Sequence, residues 1–407
     1  MLNSHENKTI WVINYFAGTP LSGWGERHFY FAKYWKKKGY KVVIFSSSFN
    51  HMFSNIPIVE KKFTKEIYEG IEFIWVKTPV YNPRSLKRFW SQIVFAWRVR
   101  KLSSLKYGIP NTILVSSMPI FSIWSGVRLK KIYKSKLLFE IRDIWPLTLQ
   151  LLGDKSANHP AVKFIGWFEK MGYRKSDVIV SLLPNAEKHF TEVAGKKIKF
   201  SYIPNGIDGS QLKNDHISEN LKSKLPKDKF IIGYAGTLGL ANALEYLIDA
   251  AEIYRNDDRF HFVIVGDGYL KKKLFDMSKN WGNVSFFDKI KKNKVQNLLK
   301  YFDVCFVGRN DTPLFKHGVS ANKYFDYMYA GKPILDSNNF IKDPVELSGC
   351  GIIVKPDSAQ AIVAGIEQFY NMTAEKRHEI GELGRKYVLD KHDMEFLANK
   401  YSKLFLS

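Results

Sequence analysis

The sequence has few of the residues that build disulfide frameworks or metal sites. Its 407 residues include only two cysteines, Cys305 and Cys350, and each stands in an apolar segment. No spacing of cysteine and histidine is typical of a metal-binding motif, so we expect neither a metal site nor a disulfide framework. Such sparse cysteine usage is consistent with a reducing compartment, and we expect a cytoplasmic protein.

Long apolar runs are also missing, although 45% of the residues are hydrophobic. No segment approaches the roughly 18–20 consecutive apolar residues that are needed to span a bilayer. The first residues, Met1 to Lys8, are polar and lead directly into a predicted strand, so we expect no signal peptide. The length and composition indicate a globular chain with two domains of ordinary size.

The motifs of several enzyme classes are absent. There is no Walker loop, no recognisable Ser/Cys/His set and no carboxylate pair that its spacing marks as a hydrolase dyad. The loop Gly23-Trp24-Gly25 lacks the third glycine of the dinucleotide fingerprint, because His28 stands at that place. This loop fits either a flexible turn or a ligand loop.

Because no Walker loop and no catalytic Ser/Cys/His set is apparent, we expect that any nucleotide bound by this chain is the leaving group of a substrate rather than a phosphate donor.

Acidic residues are scarce in the first half of the chain. Residues 1–205 hold 33 Lys+Arg and 13 Asp+Glu, a net charge of +20, whereas residues 206–407 hold 29 and 26, a net charge of +3. A strongly basic half indicates an anionic partner, such as nucleic acid, anionic lipid or a phosphorylated acceptor. The alternative is a charge excess that serves only solubility.

Predicted strands and helices alternate along most of the chain. The pattern begins with a strand from Ile10 to Tyr15 and starts afresh at Phe230, after the charge balance changes near residue 205. Both halves therefore read as doubly wound α/β domains. Residues 51–80 show no clear pattern and are expected to be irregular, and three helices are predicted to close the chain.

A helix predicted from Ser85 to Lys101 combines aromatic and basic residues. Phe89, Trp90 and Trp97 stand among lysines and arginines. Such a mixture suits a helix that lies in a membrane interface. A core helix whose basic ends extend into solvent fits the pattern equally well.

A polar cluster ends the strand predicted from Leu137. It comprises Glu140, Arg142 and Asp143, and Pro146 then redirects the chain. Because ligands of open parallel sheets bind beyond the carboxyl ends of the strands, these residues are site candidates. The alternative is a strand end held by an Arg142–Asp143 pair.

The stretch from Phe315 to Ile334 predicts an anion site. A helix is predicted from Ala321 to Tyr329, with Ser320 as its N-cap. The helix N-terminus attracts phosphate, and Lys323 adds a full positive charge there. Asp326, one turn further on, suits ribose hydroxyls. The alternative is a capped, solvated helix with an incidental ion pair.

Taken in order, six motifs resemble those of family 4 glycosyltransferases with the GT-B fold. More narrowly, the chain resembles the bacterial subgroup that builds O-antigen, capsular and other surface polysaccharides, and the resemblance covers nearly the whole chain. The motifs are Gly23-Trp-Gly-Glu-Arg-His28, Phe139-Glu-Ile-Arg-Asp-Ile-Trp-Pro146, Ser181-Leu-Leu-Pro-Asn185, Ile203-Pro-Asn-Gly-Ile-Asp208, Asp311-Thr-Pro-Leu-Phe315 and Ser320-Ala-Asn-Lys-Tyr-Phe-Asp-Tyr-Met328.

The resemblance implies a retaining transferase that moves a hexosyl or N-acetylhexosaminyl group from a nucleoside diphosphate sugar, with UDP expected, and needs neither metal nor cofactor. Two Rossmann-like domains would face a cleft. Residues 1–205 with about 391–407 would bind the acceptor, and 206–390 the donor, with the last helix crossing back to the first domain. A saccharide linked to polyprenyl diphosphate, at the inner face of the cell membrane, is the expected acceptor. The basic first domain would bind the anionic membrane surface peripherally, and no nucleic acid partner is expected.

The sequence departs from the family at two places. The family carries two glutamates eight positions apart at the donor helix, where this chain has Gly318 and Asp326. An Arg and a Lys that often follow the first donor-domain strand are replaced by Thr237 and Asn242. The charge of the diphosphate must then be met chiefly by Lys323.

The expected site residues form three groups. The catalytic candidates are Arg142, Asp143 and Lys323, with Lys323 stabilising the leaving diphosphate and the other two positioning the sugar or the acceptor hydroxyl. The donor-binding candidates are Gly236, Thr237, Gly266, Arg309, Lys316, Gly318, Ser320, Asn322, Lys323 and Asp326. The acceptor-side candidates are Gly23, Gly25, Arg27 and His28.

The sequence is also compatible with three other functions. A nucleotide-sugar epimerase of the same fold would act on its donor without an acceptor. A basic protein that binds nucleic acid or membrane without catalysis would explain the charge, although no nucleic-acid motif is recognisable. A catalytically inactive scaffold is made possible by Gly318.

Overall fold

The structure is a computed structural model that describes residues 8–83, 85–151, 153–209, 212 and 215–406. Residues 1–7, which carry most of the polar start of the chain, lie outside the described residues. The chain divides into two compact units, the first comprising Met1–Pro204 with Met394–Ser407 and the second Asn205–Asp393. The sequence places these boundaries near 205 and 391.

Strands and helices alternate in both units. The strands are β1 (Thr9–Ile13), β2 (Lys41–Ser47), β3 (Phe63–Tyr68), β4 (Ile71–Val76), β5 (Thr112–Ser116), β6 (Lys136–Ile141), β7 (Val178–Ser181), β8 (Phe200–Tyr202), β9 (Phe230–Ala235), β10 (Phe260–Val265), β11 (Val284–Phe287), β12 (Val304–Gly308), β13 (Ile334–Ser337) and β14 (Gly351–Val354). The helices are α1 (Arg27–Lys37), α2 (Lys87–Arg100), α3 (Ser104–Tyr107), α4 (Ser122–Tyr133), α5 (Leu147–Leu151), α6 (Pro160–Lys175), α7 (Glu187–Ala194), α8 (Glu219–Lys222), α9 (Leu244–Ile253), α10 (Lys271–Ser278), α11 (Lys292–Leu299), α12 (Asn322–Tyr329), α13 (Pro344–Ser348), α14 (Ala359–Tyr370), α15 (Ala374–Lys391) and α16 (Met394–Leu406).

The first unit is built on a sheet with the strand order β3-β4-β2-β1-β5-β6-β7-β8. Its neighbouring strands are parallel except for β3 and β4, which form an antiparallel hairpin. The expectation that 51–80 is irregular is therefore wrong. The hairpin turns at Glu69-Gly70, where both residues have positive φ, as a two-residue hairpin loop requires. The strand order reverses between β1 and β5, which is where ligands of such sheets bind.

Buried side chains cover both faces of this sheet. On one face, α1 and α16 pack together, with the indole of Trp35 buried and its Nε1 donating to the carbonyl of Ala398 at 3.1 Å. On the other face lie residues of α2, α4 and α6, including Phe95, Ile123 and Ile165. The predicted return of the last helix to the first domain is confirmed.

The second unit has a six-stranded parallel sheet with the order β11-β10-β9-β12-β13-β14. One face is covered by apolar residues of α9 and α14, and the other by residues of α11, α12 and neighbouring segments. The order reverses between β9 and β12, so the loops after these two strands border the expected ligand crevice. The predicted α/β class of both halves is confirmed.

Candidate functional site

Three segments of the second unit meet where its strand order reverses. Lys323, in the first turn of α12, extends over the ring of Tyr234 at 4.4 Å from the centroid. Its Nζ donates to the Tyr234 hydroxyl at 2.8 Å and to Asn242 Oδ1 at 2.6 Å. The helix start is thus joined to the end of β9 and to the loop behind it.

Arg309 follows β12 and reaches the same acceptor. Its Nη1 donates to Asn242 Oδ1 at 2.6 Å and to the carbonyl oxygens of Ala241 and Gly308 at 3.0 Å each. Two cations therefore share one neutral amide oxygen. Burial, followed by repulsion from Arg309, lowers the pKa of Lys323 well below its usual range. A nearby anion would relieve this repulsion, so the arrangement favours a phosphate ligand.

Two glycine turns support this pair of cations. A Cβ added at Gly266 would lie 1.9 Å from the carbonyl oxygen of Gly236, and one at Gly268 would lie 2.4 Å from that of Leu238. The turn after β10 thus packs directly on the loop after β9. A Cβ at Gly236 would stand 3.4 Å from Lys323 Cε, so this glycine also leaves room for the lysine stem.

The start of α12 differs from the prediction. The N-cap is Ala321, whose side chain makes no capping bond, so the assignment of Ser320 as N-cap is wrong. Ser320 is instead held by Asn205, whose backbone N–H donates to the Ser320 hydroxyl at 2.8 Å and whose Nδ2 donates to its carbonyl at 2.6 Å. Asn322, the first helical residue, is exposed.

Asp326 is already engaged by another side chain. Its Oδ1 pairs with Lys292 Nζ of α11, and not with Lys323. The two residues that the sequence places on one helical face therefore have separate partners. The contact of Lys292 is with Oδ1 alone, so a ribose hydroxyl at this carboxylate would share it with Lys292.

The remaining donor-side candidates lie around this centre. Thr237 is exposed, and its carbonyl accepts from the Tyr234 hydroxyl at 2.6 Å and from Asn242 Nδ2 at 2.9 Å. Lys316 is exposed and Gly318 is buried with φ 92°, a value that favours glycine. Gly318 therefore provides the positive φ that the turn between Lys316 and Ser320 requires.

The first unit contains a buried charged network that the sequence did not reveal. Glu140, at the end of β6, is fully buried and pairs with Arg27 Nε and His28 Nε2, each at 3.2 Å. Tyr401 of α16 donates its hydroxyl to Glu140 Oε2 at 2.8 Å. Burial raises the pKa of Glu140, but Arg27, His28 and Arg142 outweigh it and hold the pKa well below its usual range.

This network gives Arg27 and His28 a supporting position. Arg27 also donates to the carbonyls of Ile203 and Pro204 at 2.8 and 2.6 Å, and Asn14 Nδ2 lies 3.0 Å from His28 Nδ1. Both side chains are buried, so neither presents a free group to an acceptor from this position. Burial lowers the pKa of His28.

The two glycines of the first loop have a structural reason. Gly23 and Gly25 have φ of 71° and 81°, and a Cβ at Gly25 would lie 1.9 Å from the Phe16 carbonyl oxygen. Gly18 N–H donates to the Gly25 carbonyl at 3.1 Å, which closes the loop on itself. The two glycines therefore permit the left-handed backbone and the close approach that this loop requires.

Arg142 and Asp143 stand directly beyond β6. The Arg142 backbone N–H donates to Ser117 Oγ at 3.0 Å, Arg142 is half-buried and Asp143 is exposed. Among the described residues no ion pair joins them, so the strand end is tied through Glu140 instead. Asp143 is available to a ligand at the carboxyl edge of the sheet.

Two kinds of feature are absent from the described part of the chain. Among these residues no group of three or more His, Cys, Asp or Glu side chains is placed so that it could hold a metal ion. No described helix combines the length and apolar character that crossing a membrane requires.

Solved structures show the same fold over nearly the whole chain. Sucrose-phosphate synthase from Thermosynechococcus elongatus has a TM-score of 0.71 at 16% identity, with 98% of each chain covered. Anabaena Alr3699/HepE in complex with UDP and glucose has a TM-score of 0.66 at 13% identity, covering 98% of this chain and 99% of that one. A trehalose-6-phosphate structure from E. coli, bound with UDP-2-fluoro glucose, has a TM-score of 0.74 at 12% identity and the same coverage. The fold is GT-B.

Sequence comparison adds the class of enzyme. Residues 217–387 match the family model described as glycosyl transferases group 1. The chain is 25% identical over 317 residues to WcaI of Escherichia coli (strain K12), with 74% of this chain and 77% of that protein covered, and the name of WcaI assigns it to the glycosyl transferases of colanic acid biosynthesis. Together with the GT-B fold, these matches make the chain similar to the group 1 glycosyl transferases over its second unit and to a glycosyl transferase of polysaccharide biosynthesis over most of its length. They support the resemblance that the sequence motifs predict.

Proposed function

We propose that this glycosyltransferase transfers a sugar, with retention of anomeric configuration, from a UDP-sugar to a lipid-linked saccharide acceptor in surface polysaccharide assembly. The observation that carries the donor half of this proposal is the convergence of Lys323 and Arg309 on Asn242 Oδ1. Two cations that share one neutral amide oxygen favour a ligand with more than one negative charge. The similar structures whose descriptions include UDP or a UDP-sugar support UDP as the nucleotide.

In this mechanism protein groups take the place of a metal ion. The diphosphate replaces Asn242 Oδ1 as the partner of the two cations, with the start of α12 adding its dipole. Charge develops on the leaving diphosphate in the transition state, so Lys323 contributes most when the glycosidic bond breaks. A bound anion raises the depressed pKa of Lys323 and so favours the charged form of this lysine.

The acceptor half of the proposal assigns the first unit. Asp143 and Arg142 lie beyond β6, where they orient the acceptor hydroxyl or the donor sugar. We propose front-face transfer, in which the donor phosphate oxygen takes the proton of the attacking hydroxyl. The net charge of +20 in residues 1–205 favours an acceptor with phosphate groups and attachment to the inner, anionic face of the cell membrane.

Donor binding and turnover test the assignment of Lys323. UDP should raise the unfolding temperature of the wild type, because it binds only the folded state. Lys323→Ala should lose this shift and reduce turnover by roughly 10²–10³. Lys279→Ala removes an exposed lysine of the same unit and should change neither quantity. Near-normal turnover of Lys323→Ala would show that the diphosphate is bound elsewhere.

Product analysis tests the reaction type. A transferase gives no epimerised sugar when it is incubated with donor alone, whereas an epimerase does. Nuclear magnetic resonance of the product's anomeric proton should show the configuration of the donor. Inversion at this centre would exclude the front-face mechanism, and activity that requires a divalent ion after chelation would exclude metal-independent transfer.

A further inference from the structure

An apolar groove lies in the first unit at the point where its strand order reverses. Phe16 follows β1, Ser117 and Ile120 follow β5, and Trp145 follows β6, while Phe89 of α2 and Ile165 of α6 form the walls. The crevice beyond β1 and β5 is the usual ligand position of an open parallel sheet. In the first unit, therefore, the crevice where a ligand is expected is lined mainly by apolar side chains.

One cation stands among these apolar side chains. Arg88, the second residue of α2, lines the groove and is half-buried. Among the described residues its guanidinium has no carboxylate partner, and the titratable groups that it influences are His51 and Tyr81. A guanidinium in such a position favours a phosphate, to which it can donate two hydrogen bonds.

Large aromatic side chains are exposed on the two helices that form the groove walls. Phe89 and Trp90 of α2 are 40% and 59% exposed, and Phe164 and Trp167 of α6 are 52% and 55% exposed. The ring of Phe164 lies 6.0 Å from that of Phe121, which also lines the groove. Phe89 lines the groove and Phe164 contacts its lining residue Phe121, so exposed aromatic surface at this groove favours an apolar ligand.

The groove borders the residues that we assign to the acceptor. Ser117, one of its lining residues, accepts the backbone N–H of Arg142, and Trp145 lies two residues after Asp143. A ligand whose chain occupied the groove would hold its head close to these two residues.

We propose that this groove binds the isoprenoid chain next to the diphosphate of a prenyl diphosphate, with Arg88 contacting a phosphate oxygen and Phe89 and Ile165 enclosing the first prenyl units. The proposal rests on the lipid-linked acceptor of the proposed function and names the site that holds its lipid part. No bond is made or broken at this site, because its role is to fix the acceptor beside Arg142 and Asp143.

Farnesyl diphosphate is the probe for this site, and its affinity is measured by titration calorimetry. Phe89→Glu places a carboxylate at the groove wall and should weaken binding about tenfold or more. The matched control is Trp97→Glu, which changes a residue of the same helix with a similar exposure of 42% that does not line the groove. This control should bind like the wild type, and both variants should keep the wild-type unfolding temperature.

Arg88→Gln separates the two ends of the ligand. It should weaken farnesyl diphosphate several-fold and leave farnesol unchanged, because only the diphosphate contacts the guanidinium. Equal binding of inorganic pyrophosphate and farnesyl diphosphate would overturn the proposal. So would equal losses in Phe89→Glu and Trp97→Glu, or unchanged affinity of Phe89→Glu for farnesyl diphosphate.

The groove and the proposed reaction can fail separately. If UDP binds and farnesyl diphosphate does not, the groove assignment is wrong while the donor site stands. If farnesyl diphosphate binds with the expected dependence on Phe89 and Arg88 but UDP does not bind, the groove assignment stands and the proposed donor is wrong.

Discussion

The hydroxyl of Tyr401 donates to Oε2 of Glu140 at 2.8 Å, across 261 positions of sequence. Tyr401 lies on α16 and Glu140 ends β6, and both side chains are buried. The last helix is thereby tied to the edge of the sheet at which Arg142 and Asp143 stand. This hydrogen bond and the ion pair with Arg27 lower the free-energy cost of burying the Glu140 carboxylate, because a buried charge without partners is strongly unfavourable.

Tyr401→Phe should destabilise the first unit without removing its packing. The loss of a buried hydrogen bond to a charged group costs about 2 kcal/mol, which corresponds to roughly 4–8 °C in the unfolding temperature. Calorimetry measures this shift. Tyr246→Phe, at a half-buried position of the second unit, is the control and should change the temperature by a degree or less. Equal shifts in the two variants would show that the Tyr401 bond contributes nothing.

Asn242→Asp should affect stability and donor binding in opposite directions. A carboxylate at this position would neutralise Lys323 and Arg309, so the unfolding temperature should rise. The same carboxylate would repel a diphosphate, and the dissociation constant for UDP should increase about tenfold or more. Asn242→Ala removes the shared acceptor without adding charge and should bind UDP better than Asn242→Asp. If Asn242→Asp binds UDP as tightly as the wild type, the two cations do not hold the diphosphate.

Gly266→Ala should disturb the donor site through the backbone. The added Cβ would lie 1.9 Å from the Gly236 carbonyl oxygen, so the two turns must separate. We expect a loss of about 1–3 kcal/mol in stability and weaker UDP binding. Gly282→Ala is a close control, because nothing lies within 4 Å of its added Cβ. Identical behaviour of the two variants would contradict the close approach of the turns.

His261→Gln should flatten the acid dependence of stability. Burial, with a contribution from Lys229, lowers the pKa of His261 to about 4. Between pH 6.5 and 4 the unfolded chain binds this proton and the folded chain does not, so stability falls as pH falls. The loss reaches about 3 kcal/mol at most. Unfolding temperatures from pH 7 to 4 measure the slope, and His378→Gln, at an exposed position, should retain the wild-type slope.

Several features of the crevice in the second unit could be predicted because their signals are local. A glycine loop after a strand, a Gly-Asp-Gly turn and a lysine at a helix start can each be recognised from a few consecutive residues. The side chains that these residues contact could not be predicted in the same way. The sequence suggested Lys323 as the contact of the diphosphate. It did not show that Lys323 and Arg309 share Asn242 as their acceptor, because this contact depends on strands that are far apart in sequence and adjacent in the sheet.

The wrong predictions have tertiary causes. Ser320 suits an N-cap by residue type, but Asn205 binds both its hydroxyl and its carbonyl, and the helix starts two residues later. The role of Asp326 as a ribose contact stays a prediction, but its ion pair with Lys292 of a neighbouring helix was not indicated by the sequence. The β3–β4 hairpin was missed because β3 is half-exposed and its pattern is weak without the pairing to β4.

The sequence by itself determined the α/β class, the change between two units and the basic character of the first, because periodicity, glycine turns and charge act over short distances. The tertiary structure alone decided which side chains meet. It buried Arg27 and His28 against Glu140, brought two cations to one amide oxygen and left an apolar groove, which Arg88 also lines, next to Arg142. Such contacts depend on strand order, which the local pattern of residues does not encode.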